Sequence, residues 1–223
     1  SLARKLAHEI RNPLTPIQLT IDRLREKYSN LLQERDSENF KDNLKIINNQ
    51  IKQIGNLVNE FSDFARMPKP TLRENNLVNL LKENVELLKE LDNSIEISLI
   101  INPENIVLNS DKEQISRVFL NLIKNSIESI QQKAENKSKF NKKITIELTE
   151  SNGHIKLVIV DNGIGFGKFS ENIKDILNPY FTTKKNGTGL GLSIVNKIIN
   201  DHNGKIEFIP RNDGAEIKIN FVK

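Results

Sequence analysis

Apolar residues recur in steps of four and three along two long stretches of this chain, and that spacing fixes much of what it can fold into. The first run is Ile10, Leu14, Ile17, Ile21, Leu24, Tyr28 and Leu31; the second is Phe40, Leu44, Ile47, Ile51, Ile54, Val58, Phe61 and Ala65. Both are heptad seams of amphipathic helices. The mostly polar stretch Ser29 to Ser37 predicts the turn between them, so the pair reads as an antiparallel helical hairpin. One hairpin cannot cover two seams fully. Pairing with a second copy into a four-helix bundle buries them, through Ile47, Ile51, Ile54 and Val58. The other solution is an ordinary amphipathic hairpin packed on its own domain.

His8 lies off this seam. Leu6 and Ile10 flank it two residues to either side, about 200° of helical rotation away. His8, Asn12 and Thr15 share a separate, polar face. Pro13 falls inside the helical pattern, removes a hydrogen bond and predicts a bend; Pro16 repeats this one turn later. A lone exposed histidine is usually only a surface residue, but one beside two prolines on an associating helix is less often so. Ala65-Arg66-Met67-Pro68-Lys69-Pro70 ends the second helix, since each residue before proline is pushed toward extended geometry. The domain boundary falls here, giving a hairpin over 1–67 and a second domain over 68–223.

The second domain mixes periods. Leu77–Leu91, Asp111–Gln132 and Ser193–Asn200 read as helices, the second opened by Asp111 as N-cap with Gln114 three residues on. Ile95–Ile101, Ile106–Leu108, Ile144–Leu148, Ile155–Val160, Ile206–Ile209 and Ala215–Phe221 read as strands. Asn152-Gly153 and Asn212-Asp213-Gly214 close hairpins, and His202-Asn203-Gly204 stops a helix. Helices and an antiparallel or mixed sheet alternate without strict βαβ order, which predicts a two-layer α/β sandwich.

Several groups in this domain suit a phosphate-bearing ligand. Asn121 and Asn125 stand at i and i+4 of one helix, so both amides face the same way. Their oxygens are hard ligands suited to Mg²⁺. Asp161 emerges at a strand end, followed by Gly163 and Gly165, which let backbone approach closely and permit positive φ. Gly187, Gly189 and Gly191, with Thr188 and Leu190 between them, precede a helix whose N-terminal amides can hold phosphate. Taken singly, these are a surface Asn pair, a plain Asp-Asn-Gly turn and a flexible loop. The long lysine-bearing segment between Gly165 and Gly187 reads as a lid, with Phe181 packing back and Lys184 facing phosphate.

The bulk numbers exclude more than they assign. The 223 residues suit one large domain or two small ones. With 28% charged residues, a net charge of only +4 and no basic block interleaved with aromatics, a nucleic-acid groove is excluded. The absence of cysteine excludes disulfides and thiolate metal sites and suits a reducing cytoplasm. No apolar run is long enough to span a bilayer, and no signal peptide is present. Ser1 opens inside a helical pattern, so the expectation is a cytoplasmic fragment whose sensor and inner-membrane segments lie upstream.

In this order, His8-Glu9-Ile10-Arg11-Asn12-Pro13, Asn121–Asn125, Asp161–Gly165 and Gly187–Leu192 resemble the catalytic core of the two-component sensor histidine kinases over nearly the whole chain. Leu6–Leu19 and Glu60–Pro70 look closer still to the NtrY-like nitrogen-regulation sensor kinases. The resemblance implies a dimerising hairpin joined to an ATP-binding domain of the Bergerat type. It implies His8 as phosphoacceptor and Glu9 as acid/base partner of its imidazole. It further implies Asn125 as principal Mg²⁺ ligand, Asp161 as reader of adenine, and Gly187 to Gly191 lining the phosphates. Glu9-x-x-Asn12 matches the motif bifunctional members use to dephosphorylate the regulator, with Asn12 orienting a water; a purely structural role for Asn12 beside the prolines is the alternative. The implied reaction is autophosphorylation from ATP and transfer to an aspartate of a response regulator, NtrX-like by the same resemblance. Two departures stand out: Glu128 where many members carry Lys, and Ser126 where Ala is frequent.

Two other readings compete. Bergerat-type ATPases place a Glu four residues before the metal Asn to activate water; here that position is Asn121, which cannot act as a base. A nucleotide-binding dimeric scaffold would have lost motif residues, and all are present. Because the phosphoacceptor and the ATP site lie on different domains, the Met67–Pro70 link is the expected hinge.

Overall fold

The computed structural model describes residues 2–28, 34–136, 139–166, 175–179, 181–182 and 187–223; of residues 2–6, 8, 34, 35 and 136 it describes the backbone alone. The chain divides into two units. One comprises Ser1–Pro68 with Thr182–Leu190, the other Lys69–Phe181 with Gly191–Lys223.

The first unit is built on α1 (Leu2–Tyr28) and α2 (Glu34–Arg66). Arg11 donates to Asn59 and Tyr28 meets Phe40 edge-on at 6.5 Å, so the helices run antiparallel. α1 continues through Pro13 and Pro16 as one helix. Thr20 Oγ1 takes up the Pro16 carbonyl at 2.8 Å. Glu34–Ser37 belong to α2 rather than to the turn; the rest of that predicted turn and Leu31 lie outside the described residues. Ile21, Leu44 and Ile51 form the hairpin's core, with Leu14 and Phe40 packed against it. Along α2 the two heptad positions behave differently. Leu44, Ile51 and Val58 are 5–8% exposed, whereas Ile47 and Ile54 are 44% and 43% exposed. Half of the residues expected to meet a second copy are therefore already covered by α1 or its neighbours within this chain.

The second unit is a two-layer α/β sandwich. Its main sheet has strands β2 (Glu96–Asn102), β4 (Lys143–Ser151), β5 (His154–Asp161), β7 (Ala215–Val222) and β6 (Lys205–Pro210), in that spatial order. All neighbours are antiparallel except β2 and β4. Helices α3 (Leu77–Lys89), α4 (Lys112–Asn136) and α5 (Gly191–Asp201) pack on one face. Alternation along the strands sets what they cover. Ile144, Ile146 and Leu148 of β4, Ile155, Leu157 and Ile159 of β5, and Ile217, Ile219 and Phe221 of β7 are all buried. Glu147, Lys156 and Lys218 point the other way. Asp161 is in phase with the buried row of β5, so the pleat itself aims its carboxylate into the helical layer.

One pairing is absent from the sequence reading. β1 (Arg73–Asn76) pairs antiparallel with β3 (Val107–Ser110) as a separate two-stranded sheet. Asp111 caps α4, accepting from Gln114 N at 3.1 Å, and also holds Thr71 N at 2.9 Å. Burial raises the Asp111 pKa, but backbone donors from Thr71, Gln114 and Glu113 outweigh it and the net shift is downward. His202 accepts from Asp111 N at 3.0 Å through Nε2, so its proton sits on Nδ1, which donates to Ile198 O at 2.8 Å. At the end of α5 the left-handed residue is Asn203, not the expected Gly204. Gly204 is required for closeness: a Cβ there would lie 2.8 Å from the Phe221 ring.

Candidate functional site: a carboxylate at the end of β5

Asp161 is 4% exposed. Its Oδ1 accepts from Gly163 N at 2.9 Å and its Oδ2 from Ser126 Oγ at 3.3 Å. Burial pushes its pKa up, against the Gly163, Ser126 and Ala215 donors and the Lys133 charge, all of which lower it. Donors to both oxygens therefore fix the carboxylate plane while acceptor capacity remains for a ligand. Such a group recognises an N–H donor in a site with little water. Gly163 is needed beneath it: a Cβ there would fall 2.2 Å from Ser129 Oγ.

Helix α4 supplies the next wall. Asn121, Asn125, Ser129 and Lys133 follow one another at steps of four, on one stripe of the helix. Asn121 and Asn125 are both half-buried. Asn121 Nδ2 donates to Arg117 O at 2.8 Å, and its Oδ1 would lie 3.0 Å from a Cβ on Gly191. Gly191 is the first residue of α5, so the Asn121 amide abuts the start of the helix that the glycine run leads into. Asn125 presents a hard amide oxygen one turn on. A single amide is a donor set that suits Mg²⁺ carried in by phosphates, since that ion keeps waters and takes phosphate oxygens.

The remaining expected residues fall elsewhere or beyond view. Gly187, Thr188, Gly189 and Leu190 group with the helical hairpin. There Thr188 Oγ1 donates to Glu60 Oε2 and accepts from Leu190 N at 3.4 Å. Gly189 and Gly165 both take positive φ, 70° and 68°. Phe181 is half-buried and its N–H meets Asn178 O at 3.2 Å. Lys184, with most of the expected lid, lies outside the described residues. In α1, Glu9 and Asn12 are exposed, while the His8 side chain lies outside the described residues. Glu128 lies 3.9 Å from Lys124.

Ser126, Ser129, Lys133 and Gly214 are the residues that sequence reasoning missed. The step of four from Asn121 through Lys133 was a usable signal for two of them. In the sequence Ser126 stands out only because alanine is frequent there, yet its hydroxyl touches the buried carboxylate.

Known proteins resemble both parts of the chain. Residues 1–70 match the His Kinase A (phospho-acceptor) domain. A sensor histidine kinase of the NtrY-like group from Rickettsia conorii is 38% identical over 222 residues, 99% of this chain and 35% of that protein. The nitrogen regulation protein NtrY of Azorhizobium caulinodans is 34% identical over 220 residues, 98% of this chain and 28% of that protein. The chain thus spans about a third of the length of the curated relatives it matches. Among solved structures, the histidine kinase ThkA in complex with the response regulator TrrA aligns with a TM-score of 0.69 at 25% identity, covering 100% of this chain and 61% of that one. The catalytic domain of ThkA alone aligns at 0.58 and 30% identity, covering 68% of this chain and 95% of that one. Since residues 110–222, half of the sequence, match the family described as histidine kinase-, DNA gyrase B- and HSP90-like ATPase, the chain belongs to that family.

Proposed function

We propose that this chain is the catalytic core of a sensor histidine kinase, with 1–67 as the phosphotransfer hairpin and 68–223 as the ATP-binding domain. The observation that carries the reading is the buried Asp161, hydrogen-bonded on both oxygens, beside the α4 amides. It suits the exocyclic amine of adenine. Asn125 would hold Mg²⁺, which when bound neutralises phosphate charge. The glycine run Gly187–Gly191 would supply backbone donors to the phosphates, with Phe181 and Lys184 in the lid over them. The unprotonated ring nitrogen of His8 attacks the γ-phosphorus, the bond to ADP breaks, and Glu9 takes the ring proton. The phosphoryl group then passes to an aspartate of a response regulator; the likeness to the ThkA–TrrA complex and to NtrY supports an NtrX-like partner. The Bergerat-type ATPase reading is weaker, because Asn121, whose amide is engaged with Arg117 O, has no basic group to activate water. No helix among the described residues is long and apolar enough to cross a membrane. We place the core on the cytoplasmic side of a membrane sensor whose other segments are outside this chain. The test is transfer of label from ATP through the protein to purified receiver domains; ADP and free phosphate released without labelled protein would favour the ATPase.

The hairpin's second seam supports a homodimer. Ile17, Leu24, Ile47, Ile54 and Leu57 remain exposed along it, and each isoleucine covered in a dimer contributes roughly 1.5–3 kcal/mol. Ile47→Lys with Ile54→Lys is expected to leave the fold intact and convert the dimer to monomer in sedimentation at micromolar concentration. A parent that already sediments as a folded monomer would refute the bundle.

Asn12, one turn from His8 and exposed, is assigned to regulator dephosphorylation by orienting a water. Asn12→Ala should slow loss of phosphate from the regulator about tenfold or more while self-labelling continues. Unchanged dephosphorylation with impaired self-labelling would instead give Asn12 a structural role beside the prolines.

A further inference from the structure

Lys133 is a lysine largely withdrawn from water. In the last turns of α4, its side chain is only 15% exposed. Its Nζ donates to Asn162 O at 2.6 Å and pairs with Asp213, and it stands 4.9 Å above the Phe140 ring. A strongly hydrated ammonium is withdrawn from water only where its donors are taken up.

What those donors hold is the loop behind Asp161. Every polar group of Asn162 is engaged. Its N–H donates to Lys143 O at 3.3 Å, its Oδ1 accepts from Lys143 N at 2.9 Å, its Nδ2 donates to Asn141 O at 2.5 Å, and its carbonyl accepts from Lys133. Asp213 belongs to the turn between β6 and β7, and the next residue, Gly214, takes φ 98°. A Cβ on Gly214 would lie 1.8 Å from Asp161 O, and one on Gly165 would lie 2.5 Å from Gly214 O. The β6–β7 turn is thus wedged against the backbone on both sides of Asn162. One ammonium ties that turn to this loop.

We infer that Lys133, through Asn162 and Asp213, is the positioning residue that fixes the Asp161 loop for discrimination of the purine 6-substituent. The inference rests on the assignment of Asp161 to adenine. Lys133 does not touch the base; it acts by holding the backbone from which Asp161 and Gly163 project. Ordinary destabilisation weakens all nucleotides alike. Loss of this latch removes chiefly the hydrogen bond that adenine makes and a 6-oxo purine cannot.

The readout is therefore a ratio: affinity for ATP over affinity for inosine triphosphate, measured by displacement of a fluorescent nucleotide from the intact chain with Mg²⁺. Lys133→Met should weaken ATP about tenfold and inosine triphosphate less than about twofold, so the ratio collapses. Lys133→Arg, which keeps charge and donors, should restore most of it. Asp213→Asn, altered at a carboxylate 71% exposed, keeps the fold should Lys133→Met lose it, and should lower the ratio about threefold. Ratios within about twofold of the parent in both Asp213→Asn and Lys133→Met, or in Asp213→Asn alone where Lys133→Met does not fold, overturn the inference. Asp161→Asn separates the two levels. If it abolishes the preference while the Lys133 and Asp213 variants keep it, only the latch fails. If it keeps the preference, the adenine assignment fails and the latch falls with it.

Discussion

His8→Gln is expected to bind ATP like the parent and to acquire no acid-labile, alkali-stable phosphate. The amide nitrogen of glutamine has its lone pair delocalised into the carbonyl and cannot attack phosphorus, although the side chain is of similar length. The loss should be at least about a thousandfold, to the background of the assay, since no second group replaces a missing nucleophile. Filter-binding of labelled protein after alkaline and acid treatment reads it directly. Label that persists in the variant, with the same acid lability, would put the acceptor at another residue.

Asp161→Asn should move stability and function in opposite directions. Burial raises the folded-state pKa of Asp161 above its ordinary value of 3.8. In the unfolded chain the carboxyl ionises first, so as pH rises from about 4 through the raised folded value, the folded state loses stability relative to the unfolded one. Above that value the cost of a buried charge is constant. Asparagine removes the titration while keeping an oxygen for Gly163 N–H and an amide that donates to Ser126 Oγ. The nucleotide-free variant should therefore melt a few degrees higher at neutral pH, with its advantage shrinking as pH falls toward 4. ATP affinity should drop about a hundredfold, because the amide NH₂ would face the adenine amine donor to donor. A 6-oxo purine, which accepts, should be tolerated better than before. Melting curves at pH 4.5 and 7.5 check the first half, and nucleotide titrations the second. A variant less stable than the parent at pH 7.5 would mean that Gly163 and Ser126 more than offset the burial.

The helical seams were legible because Leu44, Ile51 and Val58 must alternate with Ile47 and Ile54 at the helical period, whatever covers the second set. Which set faces α1 was not legible, since periodicity gives spacing and not partner. The strands β4, β5 and β7 followed from alternation, though β4 runs three residues further than its apolar pattern, to Ser151, and Asp161 could be placed at the end of β5. β1 could not: Arg73-Glu74-Asn75-Asn76 has no apolar residue, and it becomes a strand only because β3 offers it a ladder. Pro13 and Pro16 both lie inside α1, which continues through them as one helix. The site was legible where a residue type is itself unusual, as with a glycine cluster or an Asn pair. It was illegible where common residues act by location. Ser126 and Lys133 are ordinary in composition, and only the meeting of α4 with β5 and the β6–β7 turn gives them a task.

The position of β7 has a consequence for the moment at which the protein becomes competent during its own synthesis. β7 comes after every other strand in sequence but lies inside the sheet, between β5 and β6, with Ala215 opposite Asp161. A nascent chain that has emerged only as far as α5 has made Asn121, Asn125, Ser126 and Asp161, yet β5 lacks β7 as a neighbour and Gly214 has not closed on the Asp161 carbonyl. Such an intermediate exposes an unpaired edge. A chain halted before β7 would carry the Asn, Asp and glycine motifs without the turn and strand that close on Asp161, so nucleotide binding reports on synthesis through β7 as well as on the motifs.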